Sequence, residues 1–393
     1  MKIVLGLSSL GIGGTESYVL AVAEQLDRLA HQVSIFTPQP GAGAEVARER
    51  GIAVQGVDEL PQDLDAAFLQ DTGVAFEMAE LRPAARRVFV AHSESFDPQA
   101  PPQLPGVVEA AVALNERVAR RLRAFAGEVP VTRLRQPIDT ERFLARGALP
   151  QRAQRALLLS NNNLGDREAI LEAACAAAGM TLERVGGQAG QEADPRAQLS
   201  AADVVIGYGR SLLEAMACGR AAFVYDWAGG EGWVTAETYP AIEADGFAGR
   251  DEVVLDADGL ADSLRGYDRS MGSLNRDLVI AHHRANVHAQ QLLELVGDLP
   301  PQSPAPNAPL TEMARLVRLE WRARSEVHAL MVENGDLRRR VARAHEAMER
   351  EVGAAQQREV AAESLYRDTL SWRVTAPLRA LGSLLRRLRP RRG

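Results

Sequence analysis

Apolar and polar positions along this chain alternate between two periods. Residues 2–7 (KIVLGL) form a short apolar run, after which SSLGIGGT makes a Gly-rich turn. Tyr18, Val19, Val22, Ala23, Leu26 and Leu29 then recur at helical spacing, which predicts a helix with one buried face. HQVSIFT, GIAVQGV, AAFLQDT, RVFVAHS and AAVALN continue as strands separated by helices or loops. Strand alternating with helix predicts a parallel, doubly wound sheet whose ligand loops lie at the C-terminal strand ends.

The alternation restarts at ALLLSNNN (156–163). A helix over 166–178, strands TLERVG and ADVVIG, helix SLLEAMA and strand AAFVYD follow, giving a second, smaller sheet. Helical segments at 258–267 and 276–296 close the body. The predicted fold class is therefore α/β: two Rossmann-like domains followed by a helical, partly coiled-coil C-terminal extension. The first domain spans 1–148 and the second 149–300, with the boundary in ARGALPQRAQ, where turn and polar residues cluster. A Pro-rich linker occupies 301–309, a helical coiled-coil segment 310–370 and a basic amphipathic helix 371–393.

Within 310–370, Ala323, Val327, Leu330, Asn334, Leu337, Val341, Ala344 and Met348 recur at steps of four and three. That seam suits a homodimeric coiled coil, with Asn334 fixing register; Gly335, Gly353 and the alanines favour the competing reading, a single solvated helix. In the tail, Val374, Leu378, Leu381, Leu385 and Leu388 form one apolar stripe among seven arginines and no acids over 372–393. Pro377 suits a first helical turn, with Thr375 available as its cap. This pattern predicts a helix lying on an anionic membrane surface; packing against the body or a protein partner is the alternative.

Charge sharpens the division. The net charge of −7 splits into +7 over residues 301–393, with 18 arginines against 11 acids, and −14 over the rest. An acidic body argues against nucleic acid as a partner. No run of eighteen apolar residues is long enough to span a bilayer, and the N-terminus reads as a core strand instead of a signal peptide. Cys175 and Cys218 offer no framework for disulfides or zinc and suit a reducing cytoplasm. The expected location is cytoplasmic, peripheral on the inner face of the plasma membrane.

Three segments carry candidate chemistry. In GIGGTES (11–17), glycines between strand and helix allow close approach of a ligand, and the helix start offers free N–H groups to a phosphate. The spacing is not that of the dinucleotide fingerprint, which argues against a nicotinamide cofactor. In residues 202–226 an apolar strand runs into Gly207-Tyr208-Gly209, and a helix opens near Ser211 with Glu214 in its first turn. A carboxylate there can accept hydrogen bonds from two ribose hydroxyls while the helix start meets a diphosphate. The plainer alternative is a glutamate that only complements the helix dipole. In residues 226–250, Gly229 to Trp233 read as a flexible loop carrying Glu231 and an indole, a pairing that suits carbohydrate; a capped loop with Trp233 in the core is the alternative. Other candidates are weaker. Asp63-Leu64-Asp65 and Asp256-Ala257-Asp258 match a diphosphate–metal string by three letters only, and His282, His283 and His288 lack a carboxylate partner for a metal.

SLLEAMACGR closely resembles the donor-site helix of family 4 and related GT-B glycosyltransferases. MKIVLGLSSLGIGGTESYVLAVAEQL resembles that family's opening strand, GG-x-E loop and first helix; HQVSIFTP resembles its second strand, and AHSESF the segment holding a cleft histidine. QPIDTERF, with Pro137, Asp139 and Phe143, is similar to its interdomain segment. The resemblance covers roughly residues 1–297. It implies a retaining, metal-independent transfer of sugar from a nucleotide-diphosphate donor to an acceptor hydroxyl; a glycan or lipid-linked acceptor at the membrane would account for the basic tail. No cofactor is implied beyond the nucleotide sugar as co-substrate. Glu214 would bind the ribose, Gly13 and Gly14 would line the donor side, and His92 would lie near the transferred sugar. Two departures stand out. Ile206 occupies the position of the family's second carboxylate, which Glu231 would have to replace. The basic pair after the second domain's first strand gives way to Ser160, Asn161, Asn162 and Asn163. Asn161, Gly209 and Ser211 would then contact the diphosphate, and Arg167 or Arg210 would supply charge. A glycosyltransferase-like scaffold that binds without transferring is the alternative that Ile206 favours; a sugar-phosphate phosphorylase or an epimerase is a third.

Overall fold

The computed structural model describes residues 1–387 except 95, 126, 146, 163, 187–193, 227–228, 250–254 and 300–305. Asn163, residues 301–305 of the expected linker and the end of the basic helix, including Leu388, lie outside the described residues. The apolar runs become β1 (Lys2–Gly6), β2 (Gln32–Phe36), β3 (Ala53–Gln55), β4 (Ala66–Leu69), β5 (Arg86–Ala91), β6 (Ala110–Ala113) and β7 (Val131–Arg133). They pair in parallel in the order β3-β2-β1-β4-β5-β6-β7. Four helices run between them: α1 (Gly14–Arg28), α2 (Ala42–Glu49), α3 (Thr72–Leu81) and α4 (Glu116–Phe125). Because helices cover both faces, the strands can be apolar throughout: β4 and β6 are buried at every position. The strand order reverses between β1 and β4, which opens a crevice beyond their C-terminal ends.

The second sheet holds β8 (Arg155–Leu159), β9 (Thr181–Val185), β10 (Val204–Gly207), β11 (Ala221–Asp226) and β12 (Gly229–Trp233), in the order β12-β11-β10-β8-β9. Around it lie α5 (Asp166–Ala177), α6 (Arg196–Ala201), α7 (Arg210–Ala217), α8 (Tyr239–Asp245), α9 (Ala257–Arg265) and α10 (Ser270–His282). Here the reversal falls between β8 and β10, so the loops after these two strands face the ligand side. Gly229 to Trp233, expected as a flexible loop, is instead the antiparallel edge strand β12, joined to β11 through a bulge at Val224/Tyr225. Pairing with β11 satisfies backbone groups that a free loop would leave to water.

The helix expected over 276–296 is broken into α10 and α11 (Ala285–Asp298). Arg284 is extended, with φ −65° and ψ 127°. The cause is tertiary. The Ile138 N–H donates to the His283 carbonyl at 2.7 Å, and the Ala285 N–H donates to the Ile138 carbonyl at 3.0 Å, so the interdomain segment replaces helical bonds. Beyond the break the chain returns to the first sheet. Ala289, Leu292 and Val296 share a core with Tyr18, Val22 and Leu26, so α11, placed by sequence at the end of the second domain, is buried in the first. The opening turns of α12 (Leu310–Arg367) follow, with Leu310 and Ala314 buried against Val74 and Met78. Arg318 pairs with the buried Glu77 at 2.9 Å.

Two compact units result, Met1–Leu319 and Glu320–Gly393. In the second, the seam residues Val327, Leu330, Leu337, Val341 and Met348 are all exposed. The helix ends in α13 (Leu370–Val374) and α14 (Ala376–Arg387). Trp372 packs edge-on against Tyr366 at 5.1 Å and carries the Arg379 guanidinium at 3.7 Å. Thr375 does not cap α14; its hydroxyl donates back to the Ser371 carbonyl at 2.7 Å. Among the described residues, no helix is long and apolar enough to cross a membrane.

Candidate functional site

Loops from the C-terminal ends of six strands converge on one cavity of about 420 Å³ between the two sheets of the first unit. From the first domain come Ile12 to Thr15 after β1, His92 after β5, and Leu114 and Asn115 after β6. From the second come Ser160 and Asn161 after β8, Gly186 after β9, and Tyr208 to Ser211 with Glu214 after β10. Gln136, Glu243 and His283 complete the wall between the domains.

The glycine loop is shaped by close approach. Gly13 is extended at φ 178°, a backbone any residue adopts, but a Cβ there would meet Glu16 Oε2 at 2.6 Å. Burial pushes the Glu16 carboxyl up, and bonds from backbone N–H groups partly offset this. Gly14 opens α1 with open space beside it, on the cavity side. On the opposite wall Gly186, at φ +94°, lets its backbone reach Ser160; a Cβ would stand 2.5 Å from the Ser160 carbonyl oxygen.

Glu214 lies in the second turn of α7, not the first, because the helix begins at Arg210. It is 8% exposed, and its Oε1 accepts a hydrogen bond from Arg210 Nε at 2.9 Å. Burial raises its pKa, and the Arg210 guanidinium pulls it back. Arg210 also donates to the Pro137 carbonyl at 2.8 Å, tying the donor helix to the interdomain segment. The Ser211 hydroxyl donates to the Tyr208 carbonyl at 2.7 Å and steadies the turn that enters the helix. Behind this turn Asp226, at the end of β11, is 1% exposed and accepts from Ser160 Oγ and Asn162 Nδ2, both at 3.2 Å. The second sheet thus holds the amide-rich loop by a buried carboxylate.

His92 lies at the mouth of the first sheet with its Nε2 2.7 Å from Gln70 Oε1. Burial first, then Arg210 and His288, push its imidazole down to about 3. His283 bridges the walls: its Nδ1 donates to the Gln136 carbonyl at 2.8 Å and its Nε2 accepts from the Tyr239 hydroxyl at 2.9 Å. Arg133 of the first domain meets Glu243 of α8 at 2.5 Å, and Arg117 pairs with both Glu94 and Asp245. These ion pairs join the domains beside the cavity.

Of the residues singled out by sequence, Gly13, Gly14, His92, Asn161, Gly209, Arg210, Ser211 and Glu214 come together here. Glu231 and Arg167 do not line the cavity. Glu231 lies on β12, where its carboxylate accepts from the Gly249 N–H at 3.3 Å. Trp233 is a packing residue: its indole N–H donates to the Ser263 carbonyl at 2.7 Å and its ring meets Phe223 edge-on at 4.9 Å. Ile206 is fully buried among Leu158 and Phe223, facing core. The two Asp-x-Asp strings are structural. Asp65 accepts from the Lys2 N–H at 2.6 Å, at the N-terminal edge of the first sheet, and Asp256 caps α9 through the Gly259 N–H at 2.9 Å. Asn115 is a wall residue the pattern did not single out, although its place at the end of AAVALN was a signal; Gln136 and Glu243 reach the cavity only through tertiary folding.

No family model and no curated protein sequence matches this chain. Solved structures do match in shape. HepE of Anabaena, in complex with UDP-glucose, is 15% identical, with a TM-score of 0.56 over 76% of this chain and 100% of its own. A glycosyltransferase from Rickettsia africae gives 0.52 at 12% identity over 76% and 98%, and sucrose-phosphate synthase from Thermosynechococcus elongatus 0.51 at 14% over 75% and 98%. The fold of the body is the GT-B fold, two Rossmann-like domains across a cleft.

Proposed function

We propose that this chain is a glycosyltransferase that moves a sugar from a nucleotide-diphosphate donor to an acceptor hydroxyl. The observation that carries the reading is Glu214. A buried carboxylate, hydrogen-bonded by Arg210, lines the cavity beside the Gly209–Ser211 turn and the Ser160–Asn161 loop. A ribose diol would hydrogen-bond the carboxylate, and the diphosphate would take the backbone N–H groups at the start of α7 and the Asn161 amide. The bond from the anomeric carbon to the diphosphate oxygen breaks with its electron pair on the diphosphate, and the acceptor oxygen bonds the anomeric carbon as its hydroxyl proton passes to the departing diphosphate oxygen. Arg210 and the helix start stabilise that developing charge without a metal, and configuration is retained. HepE, whose fold is similar, was solved with UDP-glucose, which supports a nucleotide sugar as the partner.

Turnover of a nucleotide-sugar panel by the full chain tests this. Activity is expected with at least one donor, and Glu214→Ala should reduce it at least a hundredfold (about 2.7 kcal/mol). No turnover by the wild type, with nucleoside diphosphate still bound, would favour the second reading, a binding scaffold. Ile206 supports that second reading: it faces the core and offers a sugar hydroxyl nothing.

The tail, where Leu370, Val374, Leu378 and Leu381 are exposed beside arginines, supports a membrane-anchored acceptor. Deleting 372–393 should release the protein from vesicles containing anionic lipid while donor turnover in solution stays intact. Unchanged vesicle binding would rule the tail out as the anchor.

A further inference from the structure

Behind the first-domain wall lie three buried polar side chains that the reading above leaves without a role. Gln70, just beyond β4, is 1% exposed. Its Nε2 donates to the Phe68 carbonyl at 3.0 Å, which fixes the orientation of the amide, since the flipped amide would set two oxygens against each other. Gln70 Oε1 therefore faces His92 Nε2 at 2.7 Å, and an amide oxygen can only accept. The His92 ring is held from a second side by Tyr18 of α1, edge-on at 4.9 Å and 76°. Tyr18 is itself pinned, its hydroxyl 2.9 Å from His288 Nε2 on α11.

We propose that Gln70 is a positioning residue that holds His92 as the neutral Nε2–H tautomer, so that Nδ1 is the hydrogen-bond acceptor the ring offers to a sugar hydroxyl in the cleft. The geometry settles the tautomer by elimination. One ring nitrogen is committed as a donor to Gln70, and a neutral imidazole then carries its lone pair on the other. The electrostatics agree: burial and the neighbouring Arg210 and His288 keep the ring uncharged throughout the physiological range. His92 in this state receives a hydroxyl hydrogen and orients the donor sugar; it cannot serve as an imidazolium. The ligand class rests on the glycosyltransferase reading, whereas the tautomer does not.

The test therefore reads the ring directly. Nitrogen-15 spectra of the full chain labelled at histidine, with the His92 signal identified by its loss in His92→Gln, should show protonated Nε2 and unprotonated Nδ1. That pattern should stay unchanged from about pH 8 to about pH 5, in contrast to a free histidine near 6.5. Gln70→Glu keeps an acceptor, so the tautomer should persist while the added charge moves the titration upward. Gln70→Leu should give a mixture of tautomers and a fall in kcat of about tenfold or more, with little change in nucleoside diphosphate affinity. A wild-type ring protonated at Nδ1, a His92 that titrates near neutrality, or an unaltered spectrum in folded Gln70→Leu would each overturn the proposal. Absence of turnover with a confirmed Nε2–H ring would instead count against the transferase reading alone.

Discussion

At Glu214 burial and the neighbouring Arg210 guanidinium pull the carboxyl in opposite directions. Burial raises its pKa and Arg210 lowers it, so removing Arg210 takes away the largest offset to burial. The proposed ribose contact needs the ionised form, which exists above the pKa and is lost as pH falls through it. Arg210→Ala should therefore weaken nucleoside diphosphate binding about tenfold near neutrality and move the acid limit of binding to higher pH, as measured by calorimetry across a pH series. An acid limit unchanged from wild type would show that Glu214 does not titrate against Arg210. At this scale the sequence was informative where local chemistry decides: Gly13, Gly14, Gly209 and Glu214 are at the cavity because strand-end turns put them there. The segment around Glu231 looks like a loop in sequence, with glycines and an indole as neighbours, until β12 is paired with β11.

Between elements, the glycine loop is clamped from outside the cleft by α2. The Gly41 and Gly43 N–H groups both donate to the Leu10 carbonyl at 3.1 Å, and Gly43 packs so close that an added Cβ would collide with the Gly11 carbonyl oxygen. That oxygen is backbone and cannot swing aside. Gly43→Ala should thus cost about 2 kcal/mol and displace the loop, weakening nucleoside diphosphate binding as well. Gly297, on the exposed side of α11 with open space around it, is the control; Gly297→Ala should be neutral or slightly stabilising. Denaturant midpoints and calorimetry on the two variants check both halves, and equal midpoints would refute the clamp. Elements with their own period, such as α1 and β1, were legible from the sequence. The break between α10 and α11 was not, since residues 276–296 keep helical spacing and the hydrogen bonds that interrupt them come from Ile138.

Across the whole molecule, the seam between domains is lined by histidines kept neutral. Burial is the leading cause for His92 and His288, pushed down to about 3, and for His283, pushed down to about 4. The unfolded chain takes up protons at these positions below about 6.5, while the folded protein does not. Their contribution to stability is therefore fully present above pH 6.5 and is lost as pH falls toward about 4 and then 3. Each such group adds a slope of about 1.4 kcal/mol per pH unit inside that window. Urea unfolding at a series of pH values should show a shallower dependence in His283→Gln and His288→Gln than in the wild type. Comparing slopes between variants cancels the buried carboxylates, whose raised pKa values act in the opposite direction. Parallel slopes would mean these imidazoles are already protonated in the folded protein.

The sequence alone determined the alternation of strand and helix, the two successive α/β sheets, the change of composition after residue 300 and the candidate turn around Glu214. All of these follow from spacing and side-chain type within a few residues, where backbone geometry is nearly local. Only the tertiary structure decided that α11 and the first turns of α12 complete the first domain, that Arg210 reaches the Pro137 carbonyl, and that Gln70 and Tyr18 meet His92. Those arrangements depend on which faces remain apolar once the sheets have formed. They also depend on where the chain returns to cover them, and residues hundreds of positions apart meet only then.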